Sequence, residues 1–176
     1  MALLGALLAA LWIGCGAPAA PATLPAATTA SAADAGAKAF PENVAEADTL
    51  REKGTAWTNV EIREHYLHLI SRVKSGNEKW KGEGVKAEER AKRAYTIRHD
   101  ARMTCRAMMS DRKEVEGLHE RDKKKYGQPD GPTFEQLVEH EKGKGLVGDA
   151  IYDAIVASSQ RTDGAVNDLL GVKPSN

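Results

Sequence analysis

Apolar residues in this chain recur at three- and four-residue steps and seldom alternate one on, one off. That spacing puts them on single helical faces, so the pattern predicts helices rather than strands. The clearest case is residues 86–110, KAEERAKRAYTIRHDARMTCRAMMS, which contains neither Gly nor Pro. Ala91, Ala94, Ala101, Cys105 and Met108 share one face there, and Tyr95, Ile97 and Met109 widen it. The small residues of its first half let a neighbouring helix come close, while Cys105, Met108 and Met109 fill space at the far end. This stretch is expected to be the central helix of the fold.

The flanking elements follow from caps and breakers. Thr58 with Glu61 matches a capping box, followed by Ile62, Tyr66, Leu69 and Val73 on one face. That helix is expected to end near Ser75 and Gly76, with Gly76, Gly82 and Gly84 breaking the chain and Trp80 packing back onto the core. Asp111 with Glu114 opens a helix over 112–125, with Val115, Leu118 and Asp122 inward. His119 and Arg121 suit a solvated face equally well. Residues 126–132 hold Gly127, Pro129, Asp130, Gly131 and Pro132, a rigid turn. Thr133 is the next N-cap, with Gln136 three residues on and Phe134, Leu137 and Val138 behind it. Gly143, Gly145 and Gly148 mark a loop around Leu146. Asp149 then caps a helix with Ile151, Tyr152, Ile155 and Val156. A polar turn over 158–167 leads into a final helix through Leu169 and Leu170. The expectation is an all-α fold: a single small domain of five to six helices over residues 55–176.

The N-terminal part reads differently. Residues 1–14, MALLGALLAALWIG, are apolar and precede Cys15. The run is too short to span a bilayer and suits the apolar region of a signal peptide. With Trp12, Ile13, Gly14 and Cys15 it resembles bacterial lipoprotein leaders, in which a peptidase cuts before a cysteine that becomes lipidated. Ile13 and Gly14 fit that pattern, whereas Trp12 departs from it. The resemblance implies that Cys15 carries a lipid and anchors the chain. Gly16 in place of Asp implies the outer membrane. The alternative is an ordinary secretory signal, cleaved near Ala17 to Ala22. Residues 15–54 are rich in Ala, Pro and Thr and poor in bulky apolar side chains, which predicts a disordered tether. As a flexible coil it would span roughly 35 Å. A short helix over 42–53 is expected at its end. Cys15 and Cys105, in separate regions, are not expected to pair, and Cys105 on an apolar face reads as a buried, inert thiol.

Charge narrows the functional classes. The formal net charge is zero, with 25 basic and 25 acidic residues. Residues 86–125 hold 13 basic and 8 acidic side chains, net +5, and residues 126–176 hold 4 and 8, net −4. These halves are expected to attract each other in the fold, which weakens the case for a nucleic-acid surface and leaves a nucleic-acid partner open. No HExxH, GxSxG, Walker loop or CxxC cluster occurs. His65 and His68, with Glu61 and Glu64, offer part of a metal set, but a third partner is not visible, so no metal or cofactor is assigned.

Arg98, Arg102 and Arg106 form an i, i+4, i+8 stripe. The first two lie beside the apolar face, while Arg90, Lys92 and Arg93 are expected to be solvated. A guanidinium near the interior needs a carboxylate or phosphate. Asp130, fixed by its prolines and glycine, is the candidate carboxylate, with Arg161 or Thr162 close by. The candidate catalytic set is therefore Arg98, His99, Arg102, Asp130, Arg161 and Thr162, with Ser159 beside them.

IRHDAR (97–102), RDKKKYGQPDGPTFEQLV (121–138) and GDAIYDAIVASSQRTDGAVN (148–167) together resemble small α-helical domains found in predatory soil bacteria. Some of those sit in lipoproteins, others as C-terminal modules of polymorphic-toxin-type proteins. The resemblance covers residues 58–171 and brings no catalytic residues with it. It implies a role in competition between bacteria. Three readings follow. The first is a membrane-anchored effector with a metal-independent, nuclease-like site. The second is a non-enzymatic envelope lipoprotein that binds a protein partner or a wall component. The third is an immunity or adaptor protein for a cognate toxin.

Overall fold

A computed structural model describes residues 38–109, 112–158 and 169–170. Among them are six helices and no strand. They are α1 (Val44–Glu52), α2 (Asn59–Gly82), α3 (Ala87–Met108), α4 (Arg112–Tyr126), α5 (Phe134–Gly143) and α6 (Asp149–Ser158). The fold is all-α, as the spacing of apolar residues predicts. The leader, Cys15 and the first part of the tether lie outside the described residues. So do the capping residue Asp111 and residues 159–168, which include Ser159, Arg161, Thr162 and Asp163.

Two caps form as the sequence predicts. The Thr58 side chain accepts from the Glu61 N–H while Glu61 accepts from the Thr58 N–H. Thr133 and Gln136 make the same reciprocal pair at the start of α5. Each box satisfies two of the backbone donors that a helix start leaves open.

α3 is the centre, packing against α1, α2 and α6, while α5 packs against α6. Ala91 and Ala94 meet Val73, Ile151, Ile155 and Val156 in one apolar cluster. Ala101, Cys105 and Met108 meet Ala47, Ile62, Tyr66 and Leu118 in the other, which also holds Leu169. The start of α3 therefore lies beside the end of α2, and the end of α3 beside its start, so the two helices run antiparallel.

Three expectations about element boundaries need correction. The tether does not run unpacked to residue 54. The compact unit begins at Ala37, Pro41 and Ala47 are fully buried, and α1 lies on α3. Residues 38–43 form a strap along the start of α2. Lys38 pairs with Glu61 at 2.8 Å, and the Trp57 indole N–H donates to the Ala39 carbonyl at 3.1 Å. His65 Nε2 donates to the Pro41 carbonyl at 2.7 Å, and Arg72 pairs with Glu42. Small residues carry this packing, so no bulky apolar signal marks it.

The first long helix does not stop at Gly76 either. α2 continues to Gly82, because one glycine costs a helix only about 1 kcal/mol. Nor does Trp80 fold back onto the core. Its ring lies over Gly76, where an added Cβ would come within 2.8 Å of it, and the Arg93 guanidinium stands 5.5 Å above the ring.

Candidate functional site

The arginines of α3 decide how the candidate site is built. Arg98 reaches α6, where its guanidinium donates to the Ile155 carbonyl and, at 3.3 Å, to Ser158 Oγ. Ile155 lies in the last turn of α6, where open carbonyls and the helix dipole favour a cation. Burial first, with the Arg102 charge adding to it and the Tyr66 hydroxyl opposing, brings the Arg98 pKa down to about 10. It stays protonated at neutral pH.

Arg102 lies against the α4–α5 turn and donates to the Asp130 main-chain carbonyl at 3.5 Å. Gly131 has φ +93°, and a Cβ placed there would sit 2.0 Å from an Arg102 nitrogen. The glycine is thus required both by its backbone angle and by the guanidinium resting on it. Arg106 is the deepest of the three. It donates to the Pro129 carbonyl at 2.9 Å and to Asp122 Oδ2 at 2.5 Å. Both side chains of that pair are 2 % exposed.

Other side chains hold the same turn. Tyr95 donates to the Pro132 carbonyl at 3.2 Å, Gln128 to Gly131 at 2.6 Å and Gln136 to Tyr126 at 2.7 Å. Five carbonyls between Tyr126 and Pro132 therefore accept from five different side chains. Two prolines set the path of the turn, and these bonds fix it to α3 and α5.

Of the predicted set, Arg102 and Asp130 do come together, through the Asp130 backbone rather than its carboxylate. Arg98 faces the end of α6, away from the turn. His99 lies beside Tyr95, with ring centroids 5.9 Å apart. Arg161 and Thr162 fall outside the described residues. Arg90, expected in solvent, is 7 % exposed. It bonds the Val85 carbonyl at 3.2 Å, Asn77 Oδ1 at 2.9 Å and Asp153 Oδ1 at 3.0 Å. It ties α2 and α6 to α3, and its partners are too distant in sequence for local spacing to reveal. His65, named above as part of an incomplete metal set, is 6 % exposed and committed to the strap. Among the described residues no three or more His, Cys, Asp or Glu side chains are grouped to hold a metal ion.

Asp130 also belongs to a feature the sequence did not single out. It borders a groove of about 370 Å³ together with Val44 and Arg51 of α1, Met103 of α3 and Glu116 and His119 of α4. Val115 and Glu116 with His119 sit at helical spacing on one side of α4, and Met103 with Arg106 and Ala107 on one side of α3. Apolar spacing alone leaves His119 ambiguous. Only the position of the turn opposite α4 brings Asp130, Glu116 and His119 to one groove.

No family model, curated protein or solved structure matches the chain.

Proposed function

We propose that the chain is a lipid-tethered envelope protein whose helical domain binds a protein partner without catalysing a reaction. The observation that carries this reading is the use made of the arginines. Arg98, Arg102 and Arg106, the residues best suited to stabilise phosphoryl charge, donate to main-chain carbonyls of the fold itself. A catalytic guanidinium has to direct its donors at substrate. The tether reading rests on the apolar leader ending at Cys15 and the Ala/Pro-rich stretch behind it. Among the described residues no helix is long and apolar enough to cross a membrane.

A second reading, a toxin-like effector active in bacterial competition, draws on Glu116, His119 and Asp130 lining one groove. Carboxylates and imidazole move protons near neutral pH. Expression in a naive bacterial host, with and without residues 1–14, separates the two. The binding reading expects normal growth in both cases, and growth arrest by the leaderless form overturns it. Cys15→Ala should move the protein out of the membrane fraction; if it stays there, the lipid anchor is wrong.

A further inference from the structure

We infer that the groove between α1, α3, α4 and the 127–132 turn docks an amphipathic helix of a partner protein, one carrying basic residues beside its apolar stripe. The inference rests on the binding reading above and names the surface and the partner chemistry.

The floor of the groove is apolar. Met103, Ala107, Met109 and Val115 line it, and Val44 stands at its edge 42 % exposed. Two of these are methionines, whose unbranched thioethers adapt to different apolar side chains. Apart from the short turn, the walls are helices whose amides are bonded within their own turns, and no strand edge occurs among the described residues. The groove therefore offers an extended peptide no main-chain ladder. An occupant has to satisfy its own backbone, which a helix does. The lining spans Met103 to Ala107 on α3 and Val115 to His119 on α4, a little over one turn of each, and Val44 to Arg51 on α1, about two turns. That length suits apolar side chains at i, i+3 or i+4, and i+7.

The rim sets the charge of the partner. Arg51 lies 3.9 Å from Asp48 and donates to the Ala107 carbonyl at 3.3 Å. Arg106 is neutralised by Asp122. Glu116 and Asp130, by contrast, enter no ion pair among the described residues. The lining carboxylates are thus the charged groups without an ion partner among the described residues, so lysine or arginine flanking the apolar stripe complements them, and glutamate there is repelled.

The test titrates the isotope-labelled full chain with two designed helical peptides. Both carry leucines at i, i+4 and i+7, one with flanking lysines and the other with flanking glutamates. The lysine peptide should shift the amide resonances of Met103, Val115, Glu116, His119 and Asp130, with the glutamate peptide about tenfold weaker or more. Glu116→Lys with Asp130→Asn should reverse or abolish that preference while thermal melts stay matched, since neither carboxylate enters an ion pair among the described residues. Three outcomes overturn the inference: shifts confined to residues outside the groove, equal binding of both peptides, or concentration-dependent dimerisation that the double variant removes, which would assign the groove to a second copy. A chain that leaves host growth normal but shows one of these keeps the binding reading and loses only the groove. A chain that arrests growth loses the binding reading itself.

Discussion

The buried pair between Arg106 and Asp122 gives the sharpest stability test. Both side chains are 2 % exposed, so neither charge has water to turn to. Removing one partner of such a pair costs about 3–5 kcal/mol, because the other charge stays buried. The two removals are not equivalent. After Asp122→Ala, Arg106 keeps only the Pro129 carbonyl, and its Nε already has no acceptor. After Arg106→Ala, Asp122 still accepts from Arg121 at 3.0 Å, and Arg121 is 32 % exposed. Asp122→Ala should therefore fall at the upper end of that range and Arg106→Ala at the lower end. For a chain of this size each kcal/mol moves the melting midpoint by roughly 2–4 °C, so Asp122→Ala should lower it by about 8–20 °C. Urea denaturation followed by circular dichroism measures the free energies, and the double variant should cost clearly less than the sum of the singles. Single losses below about 1 kcal/mol, or strict additivity, would refute the reasoning.

Further predictions concern the strap, the turn and the thiol. Starting the chain at Thr55 removes Pro41, Ala47 and the carbonyl acceptors of Trp57 and His65. It should lower the melting midpoint by well over 5 °C, and an unchanged melt would show that the strap only lies on the surface. Gly131→Ala should destabilise by about 1–3 kcal/mol from its left-handed backbone, and more from displacing Arg102. In an Arg102→Ala background the second part should vanish, so equal costs in both backgrounds would contradict the close approach. Burial pushes the Cys105 thiol up to about 12, so it is neutral in the fold and should resist alkylation until the protein unfolds. A raised folded-state pKa means the folded state keeps its proton while the unfolded thiol loses it. The stability is present below the unfolded value and falls between about pH 9 and 12 by up to about 1.4 kcal/mol per pH unit. Cys105→Ala should flatten the stability profile over that window relative to the parent, and identical slopes would show that the thiol is not buried in solution.

The fold was legible where periodic apolar residues coincide with a cap. Thr58 with Glu61 and Thr133 with Gln136 mark helix starts, and Ile62, Tyr66, Leu69 and Val73 mark the buried face of α2. The strap was not legible, because Pro41 and Ala47 are buried by shape rather than bulk. Gly76 misled because its missing side chain serves the Trp80 ring inside the helix rather than a break in it. The site was legible in part. The rigid turn and the neighbouring arginine stripe were both apparent, but Arg90 and Arg106 were not seen as interior residues. Each owes its burial to partners 13 or more residues away, Asn77 and Asp153 for Arg90 and Asp122 for Arg106. The opposite charges of residues 86–125 and 126–176 do attract, but only one ion pair among the described residues joins them across α3 and α6, Arg90 with Asp153.

These arginines follow from how little else is available to hold the helix ends and the turn. Aromatic residues make up 5 % of the sequence, and α3 buries mostly alanines along its first half. Alanine permits close helix contact but contributes little apolar area to fix a loop or a helix terminus. Guanidinium groups fill that gap. Each presents several donors in a fixed plane, and a buried carbonyl at a helix end or turn needs a donor. Arg90, Arg98, Arg102 and Arg106 thus fasten, in order along one helix, the end of α2, the end of α6 and the two carbonyls at the tip of the turn. A lysine at any of these positions keeps the charge but loses the forked geometry. A stripe of arginines beside an alanine-rich face reads equally as a phosphate site or as a set of clamps. What separates the readings is the supply of main-chain carbonyls within reach, and here a turn with two prolines and the last turn of α6 provide them.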